Sequence, residues 1–171
     1  MINHDSPDYI RSPEAFIPIP GSLNAIGRLC AAGFRVTLAT NQSGVGRKYF
    51  SVETLHQIHD KLRRLLPVGS VIDPIVYCPH HPDDHCDCRK PQPGMLLDIA
   101  ARLGRPTSEL AFVGDSATDI EAARRAGARG LLVRTGNGTA HLEAGRIPPD
   151  VPVFDDLAAV AAALISDEPS P

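Results

Sequence analysis

Three short stretches of this sequence hold residue types that could do chemistry together. The longest runs from Cys78 to Met95 and contains Cys78, His80, Cys86 and Cys88 as C-x-H-x5-C-x-C. Three thiolates and one imidazole are the ligand count of a closed tetrahedral zinc site, with His81 and His85 as spare imidazoles that could replace His80. Arg89 and Lys90 follow directly, so a metal-stapled loop would deliver two cations suited to an anion such as phosphate. The second stretch, Thr40-Asn41-Gln42-Ser43-Gly44, offers hydroxyl, amide and backbone N–H donors able to bind phosphoryl oxygens. An ordinary polar turn is the competing reading. The third, V-G-D-S-A-T-D, sets Asp115 and Asp119 one helical turn apart. Such a carboxylate pair suits Mg²⁺, although a helix N-cap with first-turn acids has the same spelling.

The elements around these stretches bring them to one place. Leu23, Ile26, Leu29 and Cys30 recur at helical spacing up to Gly33, and R-V-T-L-A-T then reads as a buried strand ending at Thr40. Ser51 suits the N-cap of a helix reaching Leu66, and V-I-D-P-I-V-Y is a strand leading into Cys78. Pro93-Gly94 opens a helix closed by Gly104, and E-L-A-F-V-G-D is a strand ending at Asp115. A helix over 119–126, the strand G-L-L-V-R-T, the turn Gly136-Asn137-Gly138, the short strand V-P-V-F and an alanine-rich helix follow, before a polar D-E-P-S-P tail. Residues 1–20 are extended and punctuated by Pro7, Pro13, Pro18 and Pro20. Alternating strands and helices imply an α/β, Rossmann-like parallel sheet covered by helices on both faces, in one domain spanning 1–171. Ligands of such sheets sit beyond the carboxyl ends of the strands, where Thr40, the Cys78 loop and Asp115 all fall.

Composition narrows the classes. A formal charge of −3 argues against nucleic-acid binding through bulk charge but leaves small anionic substrates open. No apolar run approaches the ~20 residues needed to span a bilayer, and the N-terminus lacks a signal-peptide pattern, so a cytoplasmic protein is expected. A monomer is expected as well. Three of the four cysteines lie within 78–88, which fits metal binding in a reducing compartment better than disulfides or a thiol redox pair at Cys86 and Cys88. Cys30 is expected in the core. Arg47 and Lys48 are expected on a solvated face, with an approach to substrate as the alternative.

Taken together, T-N-Q-S-G, C-D-C-R-K-P-Q-P-G-M and V-G-D-S-A-T-D resemble the haloacid dehalogenase-type phosphatases, and among them the D-glycero-D-manno-heptose-1,7-bisphosphate 7-phosphatase family. The similarity spans nearly the whole chain; the zinc-containing histidinol-phosphate phosphatases share the arrangement and are the alternative. The resemblance implies a phosphomonoester hydrolase of a sugar bisphosphate, using Mg²⁺ and a structural Zn²⁺. It implies that Thr40, Asn41 and Lys90 are catalytic, binding the transferring phosphoryl group together with Gln42 and Ser43, and that Arg89 meets the substrate's other phosphate or its sugar. Asp115 would hold Mg²⁺, Asp119 would support that site from behind, and Cys78, His80, Cys86 and Cys88 would hold zinc.

The family's first motif, D-x-D-G-[TV], is absent, and the 171 residues contain no D-x-D at all. In that motif the first Asp attacks phosphorus and the second serves as acid and base. Met1-Ile2-Asn3 resembles the residues immediately after it, so an upstream start, a missing first central strand and an inactive chain are expected. Losing about five buried apolar side chains at ~1.5–3 kcal/mol each is comparable with the whole ~5–15 kcal/mol stability of a domain. A zinc-stabilised phosphosugar-binding remnant without turnover is therefore a further alternative.

Overall fold

The structure, a computed structural model, describes residues 1–6 and 8–167. Pro7 and the tail from Glu168 lie outside the described residues. The order is α1 (Ser22–Ala31), β1 (Val36–Asn41), α2 (Ser43–Gly46), α3 (Val52–Leu65), β2 (Ile72–Cys78), α4 (Gly94–Leu103), β3 (Ala111–Gly114), α5 (Ala117–Ala126), β4 (Arg129–Val133), α6 (Gly138–Glu143), β5 (Val153–Phe154) and α7 (Leu157–Asp167). Single 3₁₀ turns occupy Pro82–Asp84 and Thr107–Glu109.

Local chemistry explains most boundaries. Ser51 caps α3 by accepting from the Thr54 N–H at 3.2 Å, and Ser116 caps α5 by accepting from Asp119 N at 3.2 Å. Gly104 and Gly127 close α4 and α5 in the left-handed region. Buried Ala25, Ile26 and Leu29 set the inner face of α1. Cys30 departs from its expected core position: it lies at the margin, partly exposed, with its thiol directed at the Val71 carbonyl 3.4 Å away.

All strand pairs are parallel, as the alternation predicts, with Thr40 opposite Tyr77 and Asn41 opposite Cys78. The strands form two sheets, β1-β2 and β3-β4-β5. Between β1 and β3 lies a largely apolar cavity of about 380 Å³, reached by Leu38, Val113, Met1 and Ile2. Ile26, Leu29, Ile58, Leu62, Leu131 and Val160 join α1, α3 and α7 into one core, while Met95, Leu96, Ile99, Ala122 and Ala123 join α4 and α5 into a second on the other side. Helices thus cover both faces. The extended N-terminal arm makes one antiparallel bridge, Asn3 to Pro18, and returns to the body at Phe16. Among the described residues no helix is long and apolar enough to cross a membrane.

Candidate active site

At the carboxyl ends of β1 and β3 lies a crevice of about 450 Å³, lined by Thr40, Asn41 and Gln42 on one wall, Asp115 and Asp119 on the other, and Lys90 between them. Two of the three stretches contribute side chains to it directly, and the third enters through Lys90. That placement is set by strand ends and by one long-range clamp. The Asn41 side chain donates from Nδ2 to the Lys90 carbonyl at 3.2 Å and accepts from the Lys90 N–H at 3.1 Å. Both functions of its amide thus hold the Lys90 backbone. Its side chain thus positions the lysine.

Lys90 Nζ lies 2.7 Å from Asp119 Oδ1, donates to the Ala39 carbonyl at 3.0 Å, and sits 5.4 Å from the centre of the Phe112 ring. Both partners of the ion pair are nearly removed from water, with side-chain exposures of 12% and 7%. Asp119 Oδ2 accepts from Ser116 Oγ at 2.6 Å and from the Asp115 N–H at 3.2 Å. Burial alone would raise the Asp119 carboxyl, but the Lys90 ammonium with its hydrogen bond, then Ser116 and the Asp115 amide, hold it below the usual carboxylate range. With both oxygens engaged, Asp119 orients Lys90 and the turn after β3. Gly114 makes this possible, since a Cβ there would lie 2.2 Å from Asp119 Cβ.

Asp115 lines the crevice with one oxygen engaged. Its Oδ2 accepts from the Asn137 N–H at 3.1 Å and lies 3.6 Å from the Met1 nitrogen. Asn137 also donates from Nδ2 to Asp5 Oδ2 at 3.2 Å, which brings Asp5 to the same side of the crevice. Gly136 is required twice over at this turn: its φ is +67°, and a Cβ would lie 2.0 Å from Asp115 Oδ2. The other carboxylate oxygen of Asp115, Oδ1, is of the hard type that suits a divalent cation.

Thr40 Oγ1 accepts from Gln42 Nε2 at 3.0 Å and keeps its own hydroxyl proton to donate. The Gln42 N–H bonds the Cys78 carbonyl at 2.7 Å, extending the β1–β2 pairing, so it is not a free anion donor. Ser43 is buried at the start of α2. Arg89 stands outside the crevice lining, with a buried Nη1 that has no partner among the described residues. Arg47 and Lys48 are exposed and also outside the lining.

Behind Lys90, the four expected metal ligands converge. Cys78 Sγ lies 3.5 Å from His80 Nδ1 and 3.6 Å from Cys86 Sγ, while Cys88 Sγ lies 3.2 Å from His80 Nδ1 and 3.5 Å from Cys86 Sγ. Donors around a tetrahedral zinc stand ~3.5–3.8 Å apart, and these four ligand atoms, all within 4.8 Å of one another, are close to that spacing. Burial, then the neighbouring thiols, push Cys88 up to about 12, a penalty that a cation among the sulfurs would reverse. The spare imidazoles are elsewhere: His81 caps the Pro82–Asp84 turn, its Nδ1 accepting from the Asp83 N–H, and His85 ends that turn in the left-handed region.

Comparison with known proteins identifies the family of the chain. A HAD-hydrolase-like family model matches residues 87–160. The D-glycero-beta-D-manno-heptose-1,7-bisphosphate 7-phosphatase of Pseudomonas aeruginosa is 50% identical over 167 residues, covering 96% of this chain and 93% of its own. The chain belongs to this phosphatase family of the haloacid dehalogenase-like hydrolases. A solved D,D-heptose 1,7-bisphosphate phosphatase from Bordetella bronchiseptica, complexed with magnesium and phosphate, is 48% identical and superposes with a TM-score of 0.94 over 98% of this chain and 94% of that one. A second, from Burkholderia thailandensis, is 38% identical with a TM-score of 0.73, covering 91% of this chain and 90% of its own.

Sequence reasoning missed several residues that line the crevice. Asn137 was read only as part of a turn, and Tyr9, Asp5 and His59, which also line the crevice, carried no motif. Period-based reading had no signal for them.

Proposed function

We propose that this chain, acting as a single domain, is built for phosphomonoester hydrolysis of a sugar bisphosphate, D-glycero-D-manno-heptose 1,7-bisphosphate, at the 7-phosphate. The observation that carries the reading is Lys90 Nζ, held between Asp119 and the Ala39 carbonyl, in one crevice with the Thr40 hydroxyl and the Asp115 carboxylate. A related phosphatase of the same fold was solved with magnesium and phosphate, which supports the same ligands here.

In this reading Lys90 neutralises charge on the phosphoryl oxygens and Thr40 Oγ donates to one of them. Asn41 fixes the Lys90 backbone, and Asp119 fixes its ammonium. Asp115 is the residue that would hold Mg²⁺, which when bound supplies further charge neutralisation to the phosphoryl group. Cys78, His80, Cys86 and Cys88 are the residues that would hold a structural Zn²⁺, which would brace the loop carrying Lys90. The reading includes a cytoplasmic, monomeric protein with no nucleic-acid or membrane partner. It also expects binding without turnover by the 171 residues, because they contain no D-x-D to supply the attacking carboxylate and its acid–base partner.

The test is phosphate release from heptose 1,7-bisphosphate with Mg²⁺. This chain is compared with one carrying a D-x-D-bearing strand joined ahead of Met1, with histidinol phosphate run in parallel. Release by the extended chain alone, on the heptose substrate, is expected. Turnover of comparable rate by both chains would refute the missing-nucleophile part, and preference for histidinol phosphate would refute the substrate.

A further inference from the structure

A histidine stands in the apolar stripe of α3. Leu55, Ile58, His59 and Leu62 are the buried residues of that helix, at the spacing of one helical face, and His59 is only 6% exposed. Burial first, then Arg63 and His56, lower its imidazole to about 4, so the ring is neutral at ordinary pH. It also lines the crevice, with Thr40 and Gln42. Its ring lies 6.0 Å from the centre of the Tyr77 ring, tilted by 55°, and His56, one turn earlier on α3, meets the same tyrosine edge-on at 6.1 Å. The Tyr77 hydroxyl is 3.4 Å from His56 Nε2. Two imidazoles of one helix thus converge on a single tyrosine near the carboxyl end of β2.

Tyr77 is the register partner of Thr40. Leu38 and Ile75, the register pair two residues earlier, belong to the core that holds Ile58 and Leu62 of α3, while Ala39 and Val76, the pair between, belong to the core that holds Met95 and Ile99 of α4. Side chains alternate across a sheet, so Thr40 and Tyr77 stand side by side on the α3 face, on strands ~4.8 Å apart. The Thr40 hydroxyl is held within its own strand end by Gln42 Nε2 at 3.0 Å, and the Gln42 N–H is fixed to the carbonyl of Cys78, next to Tyr77. Where Thr40 sits therefore depends on where Tyr77 sits, and Tyr77 is set by α3. An aliphatic side chain at position 59 would fill the stripe equally well but would lack the flat ring that an aromatic pair needs.

Resting on the proposed function, in which Thr40 binds the phosphoryl group, we infer that His59 is a positioning residue that sets the Thr40 hydroxyl through Tyr77. His59 itself makes no bond to the phosphate. Its contribution to phosphate binding is present only while residue 40 carries a hydroxyl.

The test is calorimetric titration of inorganic phosphate into the full chain, loaded with Zn²⁺ and Mg²⁺, for His59→Leu, Thr40→Val and the two combined. His59→Leu keeps the stripe apolar and removes the ring, and is expected to weaken phosphate binding about three- to tenfold, the size of one aromatic pair. His59→Phe restores a ring and should recover the lost affinity. In the Thr40→Val background His59→Leu should cost less than about twofold, because both changes act through one hydroxyl. A merely structural histidine would lose affinity equally in both backgrounds, and that result overturns the inference while the phosphate site stands. A folded His59→Leu chain that binds phosphate as tightly as the unsubstituted one overturns it as well. Should His59→Leu fail to fold, Tyr77→Leu in the same cycle with Thr40→Val reads the same link, with the same two results against it. No phosphate binding by the unsubstituted chain overturns this inference and the proposed function together.

Discussion

Replacing Asp119 by Asn probes how Lys90 is held. The two side chains match in shape, so the new amide oxygen can still accept from Ser116 Oγ and the Asp115 N–H, now 2.6 and 3.2 Å from the carboxylate. What is lost is the charge 2.7 Å from Lys90 Nζ, leaving a nearly buried ammonium with the Ala39 carbonyl and the Phe112 face. Removing one partner of a buried pair costs about 3–5 kcal/mol, because the other charge stays desolvated. At ~2–4 °C per kcal/mol for a chain of this size, the midpoint of thermal unfolding should fall by about 6–20 °C. Lys90→Met combined with Asp119→Asn should cost less than the sum of the single changes, by roughly 1–3 kcal/mol. The pH dependence has a definite sign. A carboxyl lowered in the folded state contributes stability present above its unfolded value, about 3.9, and lost as pH falls through the folded one, so the deficit of Asp119→Asn should shrink at pH 3. Scanning calorimetry of the four proteins measures all of this. A shift below about 2 °C for Asp119→Asn, or strictly additive single changes, would refute the view that this pair fixes the site.

Three further outcomes are expected. Burial first, then Arg63 and His56, lower buried His59 to about 4, so its neutral form contributes stability that is full above pH 6.5 and is lost as pH falls toward 4. His59→Phe should flatten that part of the stability curve, by up to about 3 kcal/mol, and an unchanged urea midpoint profile would contradict this. Chelation of zinc, or Cys86→Ser, should loosen the loop carrying Lys90: zinc analysis and thiol titration should show one ion and three protected thiols before chelation, and reactive thiols with lost phosphate binding after it. Gly136→Ala should weaken Mg²⁺ binding at least tenfold in a titration while sparing zinc content, since its Cβ would press on Asp115 Oδ2.

Much of the fold was legible because its signals are local. Ser51 and Ser116 cap helices through bonds three residues away, and Gly104 and Gly127 end them through their own backbones. The cluster of Cys78, His80, Cys86 and Cys88 was legible because all four lie between residues 78 and 88, within one loop. Contacts between distant residues were not. Nothing near Asn41 in sequence shows that its amide is occupied by the backbone of Lys90, 49 residues on, or that Lys90 pairs with Asp119. Helix α6, Gly138–Glu143, was read past because its buried residue is a glycine and it has no apolar face to produce a period. Cys30 matched a helical period yet came to the margin, since the period identifies a face and not the depth of its edge.

The central claim is that Lys90, Thr40 and Asp115 form one phosphoryl-binding crevice, and a single titration tests it most directly. Inorganic phosphate is added to the zinc-loaded chain with Mg²⁺, and the same is done for Lys90→Ala and Asp115→Asn, with circular dichroism establishing that each variant is folded. Saturable binding of one phosphate by the unsubstituted chain, weakened at least tenfold by either change, is the predicted result. Folded variants that bind phosphate as tightly as the unsubstituted chain would contradict it.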